Sequence, residues 1–590
     1  MSSYAKPLPL YPFFYTFSIV LCTLQKVYMQ IYNESRILSA PKRRYDMKYD
    51  RLYINGKIFT SDDNRPYAEA MAVKDGRICW VGSDAEAEAA GIAADSAGII
   101  DFGAKRVLPG FVDCHMHAIM LADFARQISV LPPEIYSIED LKAAIRRVRN
   151  EQEEGQWILG WGYDEGKLSE NRAPNRRDLD EACSDSPVLM QRSCTHIWAV
   201  NSKALELAGI TKDTPDPEGG RIGRDENGEP DGILYETATY LVMKLLPQKT
   251  VEDMADDLVN LGNILNAQGV TTVTDMGEDV CDKYGEIFRS AMKKGFKNRA
   301  AAYCSWRFVQ QQGGSVVTDD SDFMSDGRFR LVGVKLIGDG SVSGRTAWCD
   351  VPYLPVGGAS GEPEYGMPVC AEEDIKEALD FCKKNKCQLS IHCMGARTID
   401  RAVDLTWQEQ PWMKDGQIPS VRLEHVAMPT PQAVKRSAEA GIAWATQPIF
   451  LYSEIESYQK NMPPERVGEN YNIADWQEAG VRFAFSTDAP ATSWATPSEP
   501  FANLKGAVTR KAWNGEDTGQ RHRVDVETAI KLYTREAGPV AGFSDVGMLK
   551  EGYVADFIVL DRDILEMAAE KIDQVRVDET WIGGEKVYER

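Results

Sequence analysis

Short apolar runs recur through the middle of the chain, and most are followed by a segment with helical periodicity. A continuous apolar run of about four to eight residues is typical of a buried strand, whereas apolar residues three or four positions apart are typical of an amphipathic helix. The runs that fit a buried strand are residues 107–115, 270–275, 299–304, 331–336, 388–392, 421–425, 442–446 and 481–488. Amphipathic helices are predicted between several of them, at residues 372–385, 397–409 and 431–440. This alternation predicts an α/β fold, a (β/α)8 TIM barrel; the alternative is a doubly wound sheet, which needs no closure.

Two connections are too long for the single helix that normally joins neighbouring barrel strands. Residues 118–269 contain apolar segments of their own, and we expect them to form an inserted subdomain over the mouth of the barrel. Residues 449–479 make a second long connection, which could close over the same mouth. Both segments would then lie at the end of the barrel where active sites are built.

The two ends of the folded region show a different pattern, made of short alternating strands. Asn55-Gly56 and Asp75-Gly76 separate some of these strands, and such dipeptides are typical of hairpin turns. Residues 47–106 and 545–590 are predicted to pair into one composite β-sandwich domain, because neither segment is large enough for a stable core alone. Residues 107–544 would form the barrel, and residues 1–46 an extension outside the fold. Residues 8–24 of that extension loosely resemble a signal or a weak membrane anchor.

Composition narrows the class of partner. The chain has 590 residues, with 89 acidic against 67 basic side chains and a formal net charge of −22. This balance argues against nucleic acid or an anionic membrane surface as the main partner. The 12 cysteines include no Cys-x-x-Cys pair, which favours a reducing compartment, and so a cytoplasmic protein, over a disulfide-stapled secreted one.

Two histidines stand at the end of the first predicted barrel strand. His115 and His117 are separated by one residue, so on a strand their side chains point to the same face. A His-x-His pair can begin a metal site, or it can be two polar residues at a strand terminus. The chain contains only 6 histidines. The positions of the other four decide between a metal site and two polar residues at a strand terminus.

The ends of the predicted strands collect further side chains of the kind that bind metals. Active sites of (β/α)8 barrels lie at the carboxyl ends of their strands. Besides the His115–His117 pair, these ends carry Lys335, His392, His425 and Asp488. Four of the six histidines therefore fall at strand ends, which favours a site for zinc or a similar divalent cation.

Such a site has a definite chemistry. A divalent cation lowers the pKa of bound water to about 7 and polarises a carbonyl group. Asp488 could bind the cation through one oxygen and carry a proton to the leaving group through the other. Lys335 does not fit at first sight, since an ammonium cannot bind a cation. It could form an ordinary ion pair with the nearby Asp339, or it could be carboxylated to a metal-binding carbamate.

Several segments together resemble the amidohydrolase superfamily, and within it the amidohydrolase-3 group, which includes N-substituted formamide deformylase-like proteins. The resemblance runs from about Tyr49 to the C-terminus. Its marks are Leu108-Pro-Gly-Phe-Val-Asp-Cys-His-Met-His, Gly160-Trp-Gly-Tyr-Asp-Glu, Ala199-Val-Asn-Ser-Lys-Ala-Leu, Val334-Lys-Leu-Ile-Gly-Asp-Gly-Ser, Ile391-His-Cys-Met-Gly, Leu423-Glu-His, Ser486-Thr-Asp and Glu551-Gly-Tyr-Val-Ala-Asp-Phe-Ile-Val-Leu.

The resemblance implies one or two divalent ions, zinc being the expected metal. His115, His117 and Asp488 would hold one ion, and His392 and His425 a second. Lys335, once carboxylated, would bridge the two. Relatives often carry aspartate where this chain has Ala396, and this departure is expected to alter the support of His392.

Four further residues are candidates for substrate contact, and each also has a structural reading. His196 could touch the substrate or stabilise an oxyanion, although a lone histidine is more often structural. Arg345 could bind a substrate carboxylate or form an ion pair. Trp161 and Tyr163 could line the pocket, although aromatic residues usually belong to the core.

The expected function is hydrolysis of a non-peptide carbon–nitrogen bond in a small amide, such as an N-acyl or N-formyl compound, by metal-activated water. A metal-dependent deaminase is one alternative, but the glutamate that such enzymes place shortly after a strand-end histidine is missing from residues 391–397. A non-catalytic regulatory or binding protein that kept the fold is another. The expected partner is a small molecule, without nucleic acid or stable membrane insertion, and a homodimer is left open.

Overall fold

A computed structural model of the chain describes residues 49–92, 98–193, 197–217, 220–277, 283–314, 327–355 and 362–590. The expected extension at residues 1–46 and the candidate His196 lie outside these ranges. Within them, no helix combines the length and the apolar character that crossing a membrane requires.

The centre of the molecule is one sheet of parallel strands. Going along the chain, each of its eight strands pairs with the next strand of the same sheet, although the insertion separates the first of them from the second. These strands are β8 (Phe111–Met116), β15 (Val270–Met276), β16 (Arg299–Ser305), β17 (Phe329–Ile337), β18 (Gln388–Cys393), β19 (Val421–His425), β20 (Ala443–Thr446) and β21 (Arg482–Phe485). The first and last strands meet just beyond their ends, where the Asp488 amide donates to His115 O at 2.8 Å and the His117 amide to Ala489 O at 2.8 Å. This contact between the two edges confirms the predicted barrel and excludes an open doubly wound sheet.

The first predicted strand, residues 107–115, is two strands rather than one. β7 (Arg106–Pro109) belongs to an outer sheet, and the barrel begins with β8 at Phe111. Gly110 lies between them, and a Cβ atom at this position would lie 2.3 Å from the Thr271 side chain on the neighbouring strand. The continuous apolar run hid the change of sheet, because both strands are buried.

Several helices between the barrel strands follow the predicted periodicity. The helices predicted at 372–385 and 431–440 form with those boundaries, and the one predicted at 397–409 spans Ala396–Thr406. Thr430 caps the start of Pro431–Ala440 by accepting from the Ala433 amide, and proline occupies the first turn, where its missing N–H costs no hydrogen bond. The α-helices of the described residues are α1 (Asp84–Ala90), α2 (Ala118–Phe124), α3 (Ile138–Glu151), α4 (Arg176–Ala182), α5 (Ser202–Ala208), α6 (Tyr240–Met243), α7 (Val251–Ala267), α8 (Tyr284–Lys294), α9 (Trp306–Gln311), α10 (Glu372–Asn385), α11 (Ala396–Thr406), α12 (Pro431–Ala440), α13 (Pro448–Ser453), α14 (Ile455–Asn461), α15 (Pro464–Val467), α16 (Ile473–Glu478), α17 (Pro500–Thr509), α18 (Val526–Leu532) and α19 (Ala537–Val540).

The insertion after the first barrel strand contains a sheet of its own, in the order β13-β14-β12-β11-β10-β9. Its strands are β9 (Ile128–Ser129), β10 (Ile158–Tyr163), β11 (Val188–Arg192), β12 (Ile197–Val200), β13 (Gly220–Arg224) and β14 (Pro230–Glu236). Helix α3 packs Leu141 and Ile145 into the core of this unit. Helix α7, although inside the predicted insertion, packs Leu258 and Leu261 against the barrel and serves as its first outer helix.

The long connection at residues 449–479 is mostly helical. It contains α13, α14, α15 and α16, and α13 brings Phe450 against the ring of His425, with ring centroids 5.9 Å apart. Part of this connection therefore lies over the ends of the barrel strands.

Strands from both ends of the described chain form two further sheets, in the orders β5-β4-β1-β6 and β24-β23-β22-β7-β2-β3. Tyr53 of the first sheet contacts Phe557 and Trp581 of the second, with ring centroids 5.0 and 5.4 Å apart. Both sheets thus contribute side chains to one apolar core. The strands are β1 (Arg51–Ile54), β2 (Lys57–Phe59), β3 (Tyr67–Ala68), β4 (Ala70–Lys74), β5 (Arg77–Gly82), β6 (Ile99–Asp101), β22 (Phe557–Leu560), β23 (Val577–Ile582) and β24 (Glu585–Glu589).

Candidate metal centre

Three predicted site residues come together at the seam where the barrel closes. His115 Nε2 lies 3.1 Å from Asp488 Oδ1, and His117 Nε2 lies 3.4 Å from the same oxygen. One ligand atom from each of the three residues lies within 4.8 Å of the others. Bonds of about 2.0–2.1 Å around a tetrahedral zinc ion would put neighbouring ligand atoms about 3.3 Å apart. The spacing to Asp488 therefore suits a shared cation.

Asp488 reaches this position through an unusual backbone conformation. Strand β21 ends at Phe485, and Asp488 lies three residues further on with φ +59°. A left-handed conformation is uncommon for residues other than glycine, and it often marks a functional site. The Asp488 amide is held by His115 O, so the same contact closes the barrel and fixes the carboxylate.

His115 is oriented from behind by a buried carboxylate. Its Nδ1 lies 2.6 Å from Glu424 Oε2. Arg422 donates to both oxygens of Glu424, from Nε at 2.6 Å and from Nη2 at 2.7 Å, and Ser390 Oγ donates to Oε1 at 2.7 Å. A carboxylate behind a histidine fixes the ring orientation and the tautomer of a metal ligand.

The environment of His115 Nε2 and Asp488 Oδ1 shows whether a cation fits between them. With the Nδ1 proton directed to Glu424, a neutral His115 ring presents the lone pair of Nε2 towards Asp488. Both Nε2 and Asp488 Oδ1 are buried, and neither forms a hydrogen bond with any residue in the described part of the chain. Two electron-pair donors 3.1 Å apart repel each other unless a proton or a cation lies between them. The residues therefore fit a divalent metal ion.

His425 and His392 continue the row of imidazoles. The His425 ring lies between the other two, with centroid distances of 4.8 Å to His115 and 4.4 Å to His392. His425 Nδ1 lies 2.9 Å from Gln447 Oε1, and His392 Nε2 lies 3.0 Å from Gly340 O. Each ring gives one N–H to an oxygen acceptor, which leaves its second nitrogen for a metal.

The protonation states suit metal binding. Burial lowers the pKa of His392, and burial together with the neighbouring His392 holds the pKa of His425 well below its usual value. Both rings are therefore neutral at pH 7, as ligands must be. Burial opposes ionisation of Asp488, but the surrounding histidines hold its pKa well below the usual range. A bound cation would take the place of the protons through which the histidines stabilise the Asp488 carboxylate, leaving neutral nitrogens and an ionised carboxylate as its ligands.

A sequence model of the amidohydrolase family matches residues 98–588. The chain belongs to the amidohydrolase family. It is accordingly a hydrolase that acts on carbon–nitrogen bonds. It is 27% identical over 555 residues to N-substituted formamide deformylase of Arthrobacter pascens, an alignment that covers 92% of this chain and 98% of the relative.

Two solved structures share the architecture of this amidohydrolase. An uncharacterized metal-dependent hydrolase from Pyrococcus furiosus matches with a TM-score of 0.67 and 27% identity, covering 88% of this chain and 100% of that one. A second, from Pyrococcus horikoshii, matches with a TM-score of 0.68 and 25% identity, covering 88% of this chain and 99% of that one. The resemblance stated from the sequence motifs is therefore confirmed at the level of family and fold.

Lys335 of the amidohydrolase is buried near these ligands, on β17. Burial lowers the pKa of its amine, while the nearby Glu424 and Asp488 act in the opposite direction. No hydrogen bond or ion pair links its Nζ to another residue of the described chain, so the expected alternative of an ion pair with Asp339 is not found. Asp339 instead accepts from the backbone amides of Trp348, Met394 and Gly395, at 2.9, 2.9 and 2.8 Å.

The role of Asp339 also explains how the chain tolerates Ala396. Asp339 holds the turn that follows His392, and its Oδ1 lies 3.6 Å from His392 Nε2. The Gly395 amide, adjacent to Ala396, already has this carboxylate as its acceptor. Carboxylate support near His392 thus comes from the end of β17 rather than from position 396.

The candidate substrate residues are placed differently from one another. Trp161 lines a cavity that begins at His117, whereas the fully buried Tyr163 belongs to the core of the insertion. Arg345 pairs with Glu364, from Nη2 at 2.8 Å and from Nε at 3.2 Å, so its guanidinium has a structural partner. His522, the histidine outside both the strand ends and the insertion, is buried beside Arg521, whose Nε donates to its Nε2 at 2.8 Å.

Sequence reasoning missed the residues that hold the ligands in place. Arg422 and Glu424 are charged residues inside a buried strand. This unusual position is the feature of the sequence from which their role could have been inferred. Asp113 is a similar case: it accepts from Thr487 Oγ1 at 2.6 Å and from the His115 amide at 3.3 Å. It thereby links the two strand ends that carry the ligands. Burial raises its pKa to about 6 despite these hydrogen bonds.

Proposed function

We propose that this amidohydrolase cleaves the amide bond of a small N-acyl or N-formyl compound with a metal-activated water molecule. The convergence of His115 Nε2 and His117 Nε2 on Asp488 Oδ1, at 3.1 and 3.4 Å, carries the proposal. The relative named N-substituted formamide deformylase supports the choice of a compact amide substrate.

His115, His117 and Asp488 would hold one divalent ion, zinc by ligand type, and His425 and His392 a second. When bound, the metal supplies water that ionises near neutral pH and polarises the substrate carbonyl. Lys335 would be carboxylated and would act as a bridge. Burial increases the fraction of neutral amine, which is the form that adds to carbon dioxide, releases a proton and becomes a carbamate.

Asp488 is the proposed proton carrier. Its Oδ1 lies among the ligand atoms of His115 and His117, whereas Oδ2 lies 3.9 Å from His425 Nδ1. We assign proton transfer to Oδ2: it takes a proton from the attacking water and gives it to the departing nitrogen. Because the carboxylate is ionised at pH 7, it is ready to accept that proton.

The test combines metal analysis, substrate screening and one substitution. The protein should contain one or two divalent ions, and the loaded enzyme should hydrolyse members of an N-acyl and N-formyl amide library. Asp488→Asn should reduce turnover at least about 1,000-fold while thermal unfolding shows a folded protein. Full activity in this variant would exclude Asp488 as the proton carrier.

The same screen separates the alternatives. Ammonia release from an amidine or aminopurine, without amide cleavage, would identify a deaminase. A metal-loaded protein that neither hydrolyses the amides nor deaminates an amidine or aminopurine would point to a binding or regulatory role.

A further inference from the structure

The segment that follows Asp488 is held at its far end by two charged side chains from different parts of the chain. The Ser493 amide donates to Glu454 Oε1 at 3.1 Å, and Ser493 O accepts from Lys167 Nζ at 2.9 Å. Lys167 belongs to the insertion and follows β10, whereas Glu454 belongs to the long connection and lies between α13 and α14. Three segments that are distant in sequence therefore meet at the backbone of one residue.

Lys167 binds backbone oxygens rather than an opposite charge. Its ammonium also donates to Ser453 O, the carbonyl just before Glu454, and it forms no ion pair within the described ranges. An ammonium has three N–H donors, so it can hold two carbonyls at once. Hydrogen bonds with a charged donor are about twice as strong as those between neutral groups. Lys167 therefore ties the long connection to the segment that follows Asp488.

Glu454 holds the same backbone from the other side. Its side chain is buried, and Oε1 accepts the amide hydrogen of Ser493. A backbone N–H group that leaves water needs an acceptor inside the protein. The carboxyl group of Glu454 supplies that acceptor, so the N–H and the C=O of Ser493 are both bound by side chains from outside the segment.

The backbone between Asp488 and Ser493 is closely tied. The Ala491 amide donates to Asp488 O at 2.7 Å, and Thr492 Oγ1 donates to Thr487 O at 2.6 Å. Asp488 itself has φ +59°, a conformation that persists only where the surrounding structure imposes it. Because this turn has little slack, a displacement of Ser493 would be passed on to Asp488.

We propose that Lys167 and Glu454 are positioning residues for the metal site. By fixing the backbone of Ser493, they hold the Asp488 carboxylate beside the two histidines of β8, whose Nε2 atoms lie 3.1 and 3.4 Å from Oδ1. A misplacement of about 1 Å caused by a remote substitution can lower a rate by about 100-fold, so this support matters for the reaction. The inference rests on the proposed metal site and on proton transfer through Asp488.

The test removes the hydrogen bonds from one side at a time. Lys167→Met keeps much of the side-chain length but loses the donors, and Glu454→Met loses the acceptor. Each variant should weaken Zn²⁺ binding, measured by competition with a chelator, by at least about 10-fold, as loss of a residue that supports a metal ligand does. With saturating Zn²⁺, kcat for an amide identified in the screen should fall by about 10–100-fold while KM stays within about threefold, because Asp488 is assigned to proton transfer.

Conservative variants and a control separate positioning from general stability. Lys167→Arg keeps N–H donors and Glu454→Gln keeps an oxygen acceptor, so both should retain Zn²⁺ affinity and kcat within about threefold of the native protein. Lys142→Met is the matched control, because Lys142 is a buried lysine of the insertion whose partners, Glu139 at 2.7 Å and Glu181 at 2.6 Å, belong to the same unit. It removes a comparable set of charged hydrogen bonds and should leave Zn²⁺ affinity and kcat unchanged.

The inference is overturned if Lys167→Met folds and keeps Zn²⁺ affinity and kcat within about twofold, or if Lys142→Met loses as much as Lys167→Met. If Lys167→Met does not fold, Lys167→Gln replaces it, since its side chain is one atom shorter and should weaken Zn²⁺ binding in the same direction.

The Zn²⁺ measurement needs no substrate and therefore separates this inference from the proposed function. If the enzyme hydrolyses no amide but Lys167→Met weakens Zn²⁺ binding and Lys142→Met does not, the proposed function fails and the positioning role stands. If amides are hydrolysed and both lysine variants behave like the native protein, the proposed function stands and the positioning role fails.

Discussion

The substitution Glu424→Gln would show whether the carboxylate behind His115 contributes to metal affinity as well as to folding stability. Glu424 is fully buried and accepts four hydrogen bonds, two from Arg422, one from Ser390 and one at His115 Nδ1. Glutamine has the same shape but one oxygen acceptor in place of two. Whichever way the amide is turned, its NH2 group must face two of the former donors.

The expected cost of Glu424→Gln has two parts. Arg422 is also fully buried, and removing the charge of its partner leaves an uncompensated cation, which typically costs about 3–5 kcal/mol of folding free energy. The second part is specific to the metal. Loss of a carboxylate behind a ligating histidine typically weakens metal binding by about 10–100-fold, or about 1.4–2.7 kcal/mol.

Two measurements separate these parts. Urea unfolding of the metal-free protein gives the folding cost, and competition with a chelator of known affinity gives the dissociation constant for Zn²⁺. Asp556→Asn is the matched control, because Asp556 forms a similar buried pair with Arg299 at the start of β16, at the opposite end of the barrel from the strand-end ligands. It should lower stability by a similar amount and leave the affinity for Zn²⁺ unchanged.

The reasoning would be refuted if Glu424→Gln bound Zn²⁺ within about twofold of the native protein while unfolding as easily as Asp556→Asn. Glu424 would then support only the fold, and the orientation of His115 would not depend on its charge. Weakened binding of Zn²⁺ by the control would also count against it, because general destabilisation would then explain the loss.

Three further predictions concern single residues. Gly333→Ala should destabilise the barrel by at least about 2 kcal/mol in urea unfolding, because the new Cβ would lie 2.1 Å from Gln388 O, whereas Gly416→Ala, with open space around it, should be close to neutral. Burial raises the pKa of Glu454 to about 7 from its usual 4.5, so the folded state keeps a proton that the unfolded state has lost, and stability should fall as pH rises from about 4.5 to 7, by up to about 3 kcal/mol. Glu454→Gln should remove that fall; an unchanged slope of unfolding free energy against pH would show that other groups cause it. Lys335 in the metal-loaded protein should give a carbamate signal in ¹³C NMR after equilibration with ¹³C-labelled bicarbonate, and Lys335→Arg should lack it; the same spectrum in both proteins would exclude the bridge.

Much of the barrel follows from local pattern. A buried parallel strand must be apolar and a surface helix must be amphipathic, so helices Glu372–Asn385 and Pro431–Ala440 have the boundaries that periodicity predicts. The histidines at strand ends were found in the same way, because a (β/α)8 barrel gathers the carboxyl ends of its strands at one mouth. The sequence by itself therefore determined the fold class, the family and the set of side chains that meet at this mouth.

Tertiary structure decided how those side chains are held. Glu424 and His115 are separated by 309 positions, and no local pattern relates them. Alternation along a strand would point Glu424 and His425 to opposite faces, but His425 has φ +71°, and both reach the site. Asp488 owes its position to a left-handed backbone and to the edge where the barrel closes.

Local sequence patterns also did not show that the first predicted strand is divided or which residues line the cavity. Residues 107–115 read as one apolar run because burial in the outer sheet and burial in the barrel demand the same residue types. Trp161 and Tyr163 lie two positions apart on β10, yet the first lines the cavity and the second the core of the insertion. Sequence determines which side chains are apolar or can bind a metal, and packing between distant segments determines which of them face the substrate.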